Sequence, residues 1–170
     1  MRILMMLTAV PQDCPSRPLG LDQVVEPYYL LRDAGAEIVV VSVLGGHPLF
    51  RGARRRSSRA AAVLQRFQND RKARDAVSDT LTFAQICPDD MDGGFCIGAL
   101  ENSGTPDDIS SALDLITALL AAGKPVAVVP KDLLPASLGP MEGLLIIGDQ
   151  VQSPPRAAKA LLAALNANGE

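Results

Sequence analysis

Histidine is almost missing from this sequence: His47 is the only one in 170 residues. Without a second imidazole there is no His-rich cluster of the kind that holds zinc or a redox metal, and no metal or other cofactor is expected. Cysteine is scarce as well. Cys14, Cys87 and Cys96 form neither an even set nor a CxxC pair, which speaks against a disulfide framework or structural zinc and suits a reducing cytoplasm. Excess positive charge is lacking, the formal net charge being −3, so nucleic acid is not expected as a partner. No apolar run reaches the roughly 18 residues of a membrane span. The opening MRILMMLTAV has only Arg2 near its start and the polar PQDCPSRP after it, and reads as a first core strand rather than a secretory signal. Repeats and low-complexity tracts are absent too. Gly45-Gly46 lies in no GxGxxG or GK[ST] pattern and reads as a turn.

What is present is a strand–helix alternation in a chain of one-domain length, taken as a single domain over 1–170. RILMMLT (2–8) is a continuous apolar run, as expected of a strand buried on both faces. LDQVVEPYYLLRDAG predicts a helix whose stripe is Leu21, Val24, Val25, Tyr28 and Leu31, with Pro27 kinking or splitting it. EIVVVSV (37–43) is a second strand. RGARRRSSR (51–59) is a solvated loop entering a helix, or, on a sharper reading, an anion or partner site. Residues 60–80 carry one helix or two short ones joined near Asn69-Asp70. DGGFCIGAL (92–100) is the third strand. A helix follows, capped by Thr105 with Pro106 at its first position, and it runs to about Gly123. PVAVV (125–129) and GLLIIG (143–148) are strands four and five, and Ser153-Pro154 opens a last helix to near Asn168. Between those two strands only PKDLLPASLGPME is available, barely enough for a parallel crossover. The expectation is an α/β, flavodoxin-like three-layer sandwich with a mostly parallel sheet of about five strands.

EPYYLLRDAGAEIVVVSVLGGHP, LQRFQND with SDTLTFAQICPDDMDG, AAGKPVAVV and EGLLIIGDQVQSPPRAAKALLAAL occur in this order over nearly the whole chain. The set resembles the ThiJ/PfpI superfamily, of class I glutamine amidotransferase-like fold, and in particular its heat-shock chaperone and glyoxalase III branch. The resemblance implies a nucleophilic cysteine at a strand-to-helix elbow after a segment like KPVAVV, followed by His and Gly. Here Pro130, Lys131 and Asp132 stand in those places. Proline has no nucleophilic atom, and its fixed φ does not suit an elbow. The resemblance also implies an acid four residues before the proline of the EPYY-like segment; that position is Gln23, with Asp22 beside it. Glutamine exchanges hydrogen bonds but shuttles no proton near neutral pH. Where the family has PGGHG, half of its oxyanion hole, this chain reads Ile97-Gly98-Ala99-Leu100-Glu101. The family's sizeable segment before the last strand, often holding a further catalytic histidine, is nearly absent.

The expected ligand-binding positions are therefore Asp22, Gln23, Gly98, Ala99, Glu101 and Lys131, with Asn102 and Ser103 able to line the same cleft. Lys131 reads as a solvated loop lysine or as a ligand contact at the sheet's carboxyl edge, where Asp132 favours its charged form. Cys96, within two residues of the end of the third strand, is the best surviving thiol candidate, but it reads first as a small buried filler of a strand; Tyr28 reads as core or dimer packing. The leading expectation is a degenerate, non-catalytic member that binds a small molecule or another protein, forms a homodimer as relatives commonly do, and is cytoplasmic. The alternatives are a cofactor-independent enzyme acting on a small carbonyl compound through Lys131, Asp22 or Glu101, and a chaperone-like protein.

Overall fold

In the computed structural model of the protein, which describes residues 1–8, 19–48, 50, 58–98, 106–129, 142–148 and 154–167, the first strand, β1 (Arg2–Thr8), runs through the middle of the sheet. Its residues Ile3 to Leu7 are all fully buried. Successive side chains point to opposite faces: Ile3, Met5 and Leu7 enter one apolar cluster, Leu4 and Met6 the other. That is why the run shows no polar alternation.

The helix α1 (Leu21–Asp33) returns antiparallel to β1 and hands over to β2 (Glu37–Ser42) through Gly35 and Ala36. Their N–H groups donate to Arg32 O at 3.0 Å and Leu31 O at 3.2 Å. Pro27 does not split α1, although it has no N–H to give the Gln23 carbonyl. The burial of Val24, Val25, Tyr28, Tyr29 and Leu31 holds the helix through the gap. Then come α2 (Ser58–Asn69) and α3 (Arg71–Ser78), two helices divided at Asp70. Asp70 Oδ1 caps α3 by accepting the Ala73 N–H at 3.1 Å.

One strand goes beyond the expected five. The two-residue β3 (Leu81–Thr82) pairs in parallel with the end of β2, Val41 with Leu81 and Ser42 with Thr82. So short a strand leaves no periodicity in a sequence. Its neighbour Thr80 pins it: Thr80 Oγ1 lies 2.7 Å from Ser42 Oγ and 2.9 Å from Gly46 O, and the two backbones exchange bonds at 2.7 and 2.9 Å. The remaining elements are β4 (Gly93–Gly98), α4 (Pro106–Ala121), β5 (Val126–Val129), β6 (Leu145–Ile147) and α5 (Pro154–Ala167). The caps read at Thr105 and Ser153, the connection from Pro130 to Met141 and most of the Arg-rich run lie outside the described residues.

All pairings are parallel, in the order β3-β2-β1-β4-β5-β6. Helices α1, α2, α3 and α5 supply the cluster on one face, with Phe67, Val77 and Leu161 among its members. Helix α4 covers the other face through Ile116, Leu119 and Leu120. This is a flavodoxin-like α/β/α sandwich.

Candidate functional site

From β1 the chain moves to β2 on one side, and β4 later takes the other side of β1. In an open parallel sheet the crevice for a ligand lies at such a reversal, outside the carboxyl ends of the strands. Thr8 and Gly98, the last register partners of β1 and β4, meet there. Thr8 is fully buried and its Oγ1 donates to the Ile97 carbonyl at 3.3 Å. Gly98 has φ +127°, and a Cβ on it would sit 2.5 Å from Thr8 Oγ1 and 2.9 Å from Thr8 O. Glycine is required at this point.

Because α1 meets β2 at the amino edge, its 13 residues, about 20 Å long, place its first turn at the carboxyl edge. Its cap residue, Gly20, has no side chain to offer the turn. Gln23 compensates: its Oε1 accepts the Gly20 N–H at 3.0 Å while its own N–H donates to Gly20 O at 3.0 Å. Asp22 sits half-buried in the same turn, where the helix dipole favours a carboxylate. The structure thus brings Asp22 and Gln23 into one turn at the edge that Gly98 occupies. Ala99, Glu101, Asn102, Ser103, Pro130, Lys131 and Asp132 lie outside the described residues. The chain enters their two segments from adjacent points, Ile97 being the register partner of Val129.

The described thiols stand apart from this edge. Cys96 is fully buried on the α4 face, and burial pushes its thiol up to about 12. Cys87 is exposed but caps the short 3-10 turn Pro88–Asp90 ahead of β4, at the amino edge. Lys124 Nζ holds that turn, donating to the Pro88 and Asp89 carbonyls at 2.9 Å each. His47 is exposed after the Gly45-Gly46 turn. Among the described residues no three His, Cys, Asp or Glu side chains are grouped to hold a metal, and no helix is long and apolar enough to cross a membrane.

Among the described residues the densest polar cluster sits at the far end of α1. Tyr29 OH donates to Asp70 Oδ2 at 3.1 Å and Arg32 donates to the same oxygen at 2.5 Å. Arg66 lies over the Tyr29 ring, 3.9 Å from its centre, and grips Asp33 with two bonds of 2.7 Å. Burial, then the Asp70 carboxylate, raises the Tyr29 hydroxyl to about 12. The Ala73 N–H first, then Arg32 and Tyr29, hold the Asp70 carboxyl below its usual range. Tyr28 is core packing, 5% exposed and edge-on to Tyr29. Nothing local in the sequence announced this clasp, whose partners are 33, 38 and 41 positions apart.

No family model and no curated protein matches the sequence. Solved structures do. Glyoxalase III from Candida albicans superimposes with a TM-score of 0.62 at 14% identity, over 96% of each chain. The chain has the ThiJ/PfpI fold. A rapid encystment protein of Francisella tularensis gives a TM-score of 0.58 at 17% identity, covering 96% of this chain and 98% of that one. DJ-1 from Toxoplasma gondii gives 0.52 at 16%, covering 96% and 90%. At these identities the likeness fixes the course of the ThiJ/PfpI backbone and leaves its chemistry to the residues.

Proposed function

We propose that this chain is a single ThiJ/PfpI-like domain, trimmed between β5 and β6, that binds a small molecule or another protein at its β1/β4 crevice without the family's cysteine chemistry. It acts as a cytoplasmic homodimer and uses no metal or cofactor. The observation that carries the reading is the Gln23 side chain. At the position the resemblance gives to a proton-handling acid, it is a neutral amide whose oxygen is committed to the Gly20 N–H. The thiols support it in turn. Pro130 offers no nucleophile, Cys96 is buried with its thiol form favoured, and Cys87 lies at the opposite edge. Asp22, Gln23, Gly98, Ala99, Glu101 and Lys131 form the ligand-contacting rim.

Candida glyoxalase III shares the fold, so the test is its namesake chemistry. Purified protein mixed with methylglyoxal is expected to give lactate no faster than buffer, by enzymatic lactate assay. Lactate formation well above buffer that is lost in Lys131→Ala or Asp22→Asn would replace this reading with an enzyme.

A further inference from the structure

The sheet's two edges are finished differently. At β3, Gln85 Oε1 accepts from the Thr82 N–H at 2.8 Å and from Thr82 Oγ1 at 3.1 Å, so the next turn blunts that edge. At β6 nothing comparable stands among the described residues. Pairing with β5 uses the Leu144 carbonyl, taken by the Val126 N–H, and the Gly148 N–H, given to Val128 O, each at 2.9 Å. The register of Ala127 with Ile146 turns both Ile146 groups inward as well. The N–H and C=O groups of Leu145 and Ile147 therefore face outward along the β6 edge of the sheet, where no partner stands among the described residues. GLLIIG contains no charge and no proline, the usual protections of an exposed edge. Leu144 and Ile147, both within this run, are 55% and 53% exposed.

We infer that β6 is a self-association edge, pairing antiparallel with β6 of a second copy of this chain and joining the two sheets. This rests on the homodimer proposed above and adds where the copies meet. The occupant follows from charge and symmetry. Self-pairing about a two-fold axis sets each residue against its own kind of strand, and a charged edge would then face like charge. An uncharged edge does not. An axis through Ile146 sets Leu145 of one copy against Ile147 of the other, so every outward N–H and C=O finds a partner. The same register covers the exposed Ile147 side chain with the half-buried Leu145. The strip is short, so the dimer forms across the micromolar range.

The test combines sedimentation of the full chain from 1 to 100 µM, in round figures chosen to bracket a weak interface, with amide hydrogen exchange and the variants Ile147→Lys and Ile147→Val. A reversible dimer is expected, with the Leu145 and Ile147 amides protected in step with the dimer fraction. Ile147→Val dimerises, and Ile147→Lys stays monomeric with unchanged circular dichroism. A dimer in which those two amides exchange equally fast at every concentration, or one that survives Ile147→Lys, overturns the edge and leaves the homodimer standing. A wild-type monomer at the highest concentration overturns both.

Discussion

Two residues of the central strand β4 behave in opposite ways under substitution. At Gly98 a methyl group would press on Thr8 backbone as well as its hydroxyl, at a φ that L-residues rarely adopt. Gly98→Ala is expected to cost roughly 2–3 kcal/mol in urea unfolding, because strand ends rather than a flexible tip must shift. Cys96, two residues earlier, is enclosed. Ellman's reagent should leave it unmodified in the native protein and react with it only on unfolding, whereas Cys87 reacts at once; peptide mapping of the alkylated thiols distinguishes them. The sequence favoured Cys96 as a filler over a reactive thiol, since it sits within the apolar run of β4 between Phe95 and Ile97. It was silent on what Gln23 does. Gly20 three residues before a glutamine is a capping pattern, but one without the usual hydroxyl, so the substitution read as the loss of an acid rather than the gain of a cap.

Helix α1 is secured unevenly along its length. Its first turn depends on Gln23, while its last two turns are tied to α2 and α3 through Asp70, Arg66 and Asp33. Asp70→Ala removes a helix cap and a doubly hydrogen-bonded carboxylate whose side chain is 21% exposed, and is expected to lower stability by about 2–4 kcal/mol. Asp70→Asn keeps the cap and should cost less. Since the folded state holds the Asp70 carboxyl below its ordinary value, its contribution is complete above about pH 4 and disappears as pH falls through the depressed value. Wild-type stability should therefore drop below pH 4 more steeply than that of Asp70→Asn, by acid titration of the urea midpoint. The clasp was illegible beforehand because hydrophobic periodicity reports which face of a helix is buried and says nothing of which distant carboxylate meets it. The helix itself was legible, since Val24, Val25, Tyr28 and Leu31 mark one stripe, but its unbroken passage through Pro27 was not.

At the scale of the molecule, the succession of strands along the chain was readable because a sheet covered on both faces writes itself as alternating apolar runs and helices. β1, β2, β4, β5 and β6 all carry that mark. β3 does not, being two residues held by the Thr80 hydroxyl rather than by its own side chains. The layered α/β sandwich followed from that succession; the lateral order β3-β2-β1-β4-β5-β6, and with it the reversal between β1 and β4, was not legible in it. The strand order also bears on how the protein is made. β1 finds its first neighbour early, Ile3 beside Ile38, but its other side belongs to Gly93–Gly98. A ribosome adding roughly 5–20 residues per second reaches that segment several seconds after finishing β2. Throughout that interval a strand whose residues Ile3 to Leu7 are all fully buried in the finished fold has one flank with no mate. A newly made copy must therefore either keep that flank shielded or delay folding until β4 emerges, and its central sheet closes late rather than growing from the amino terminus outward.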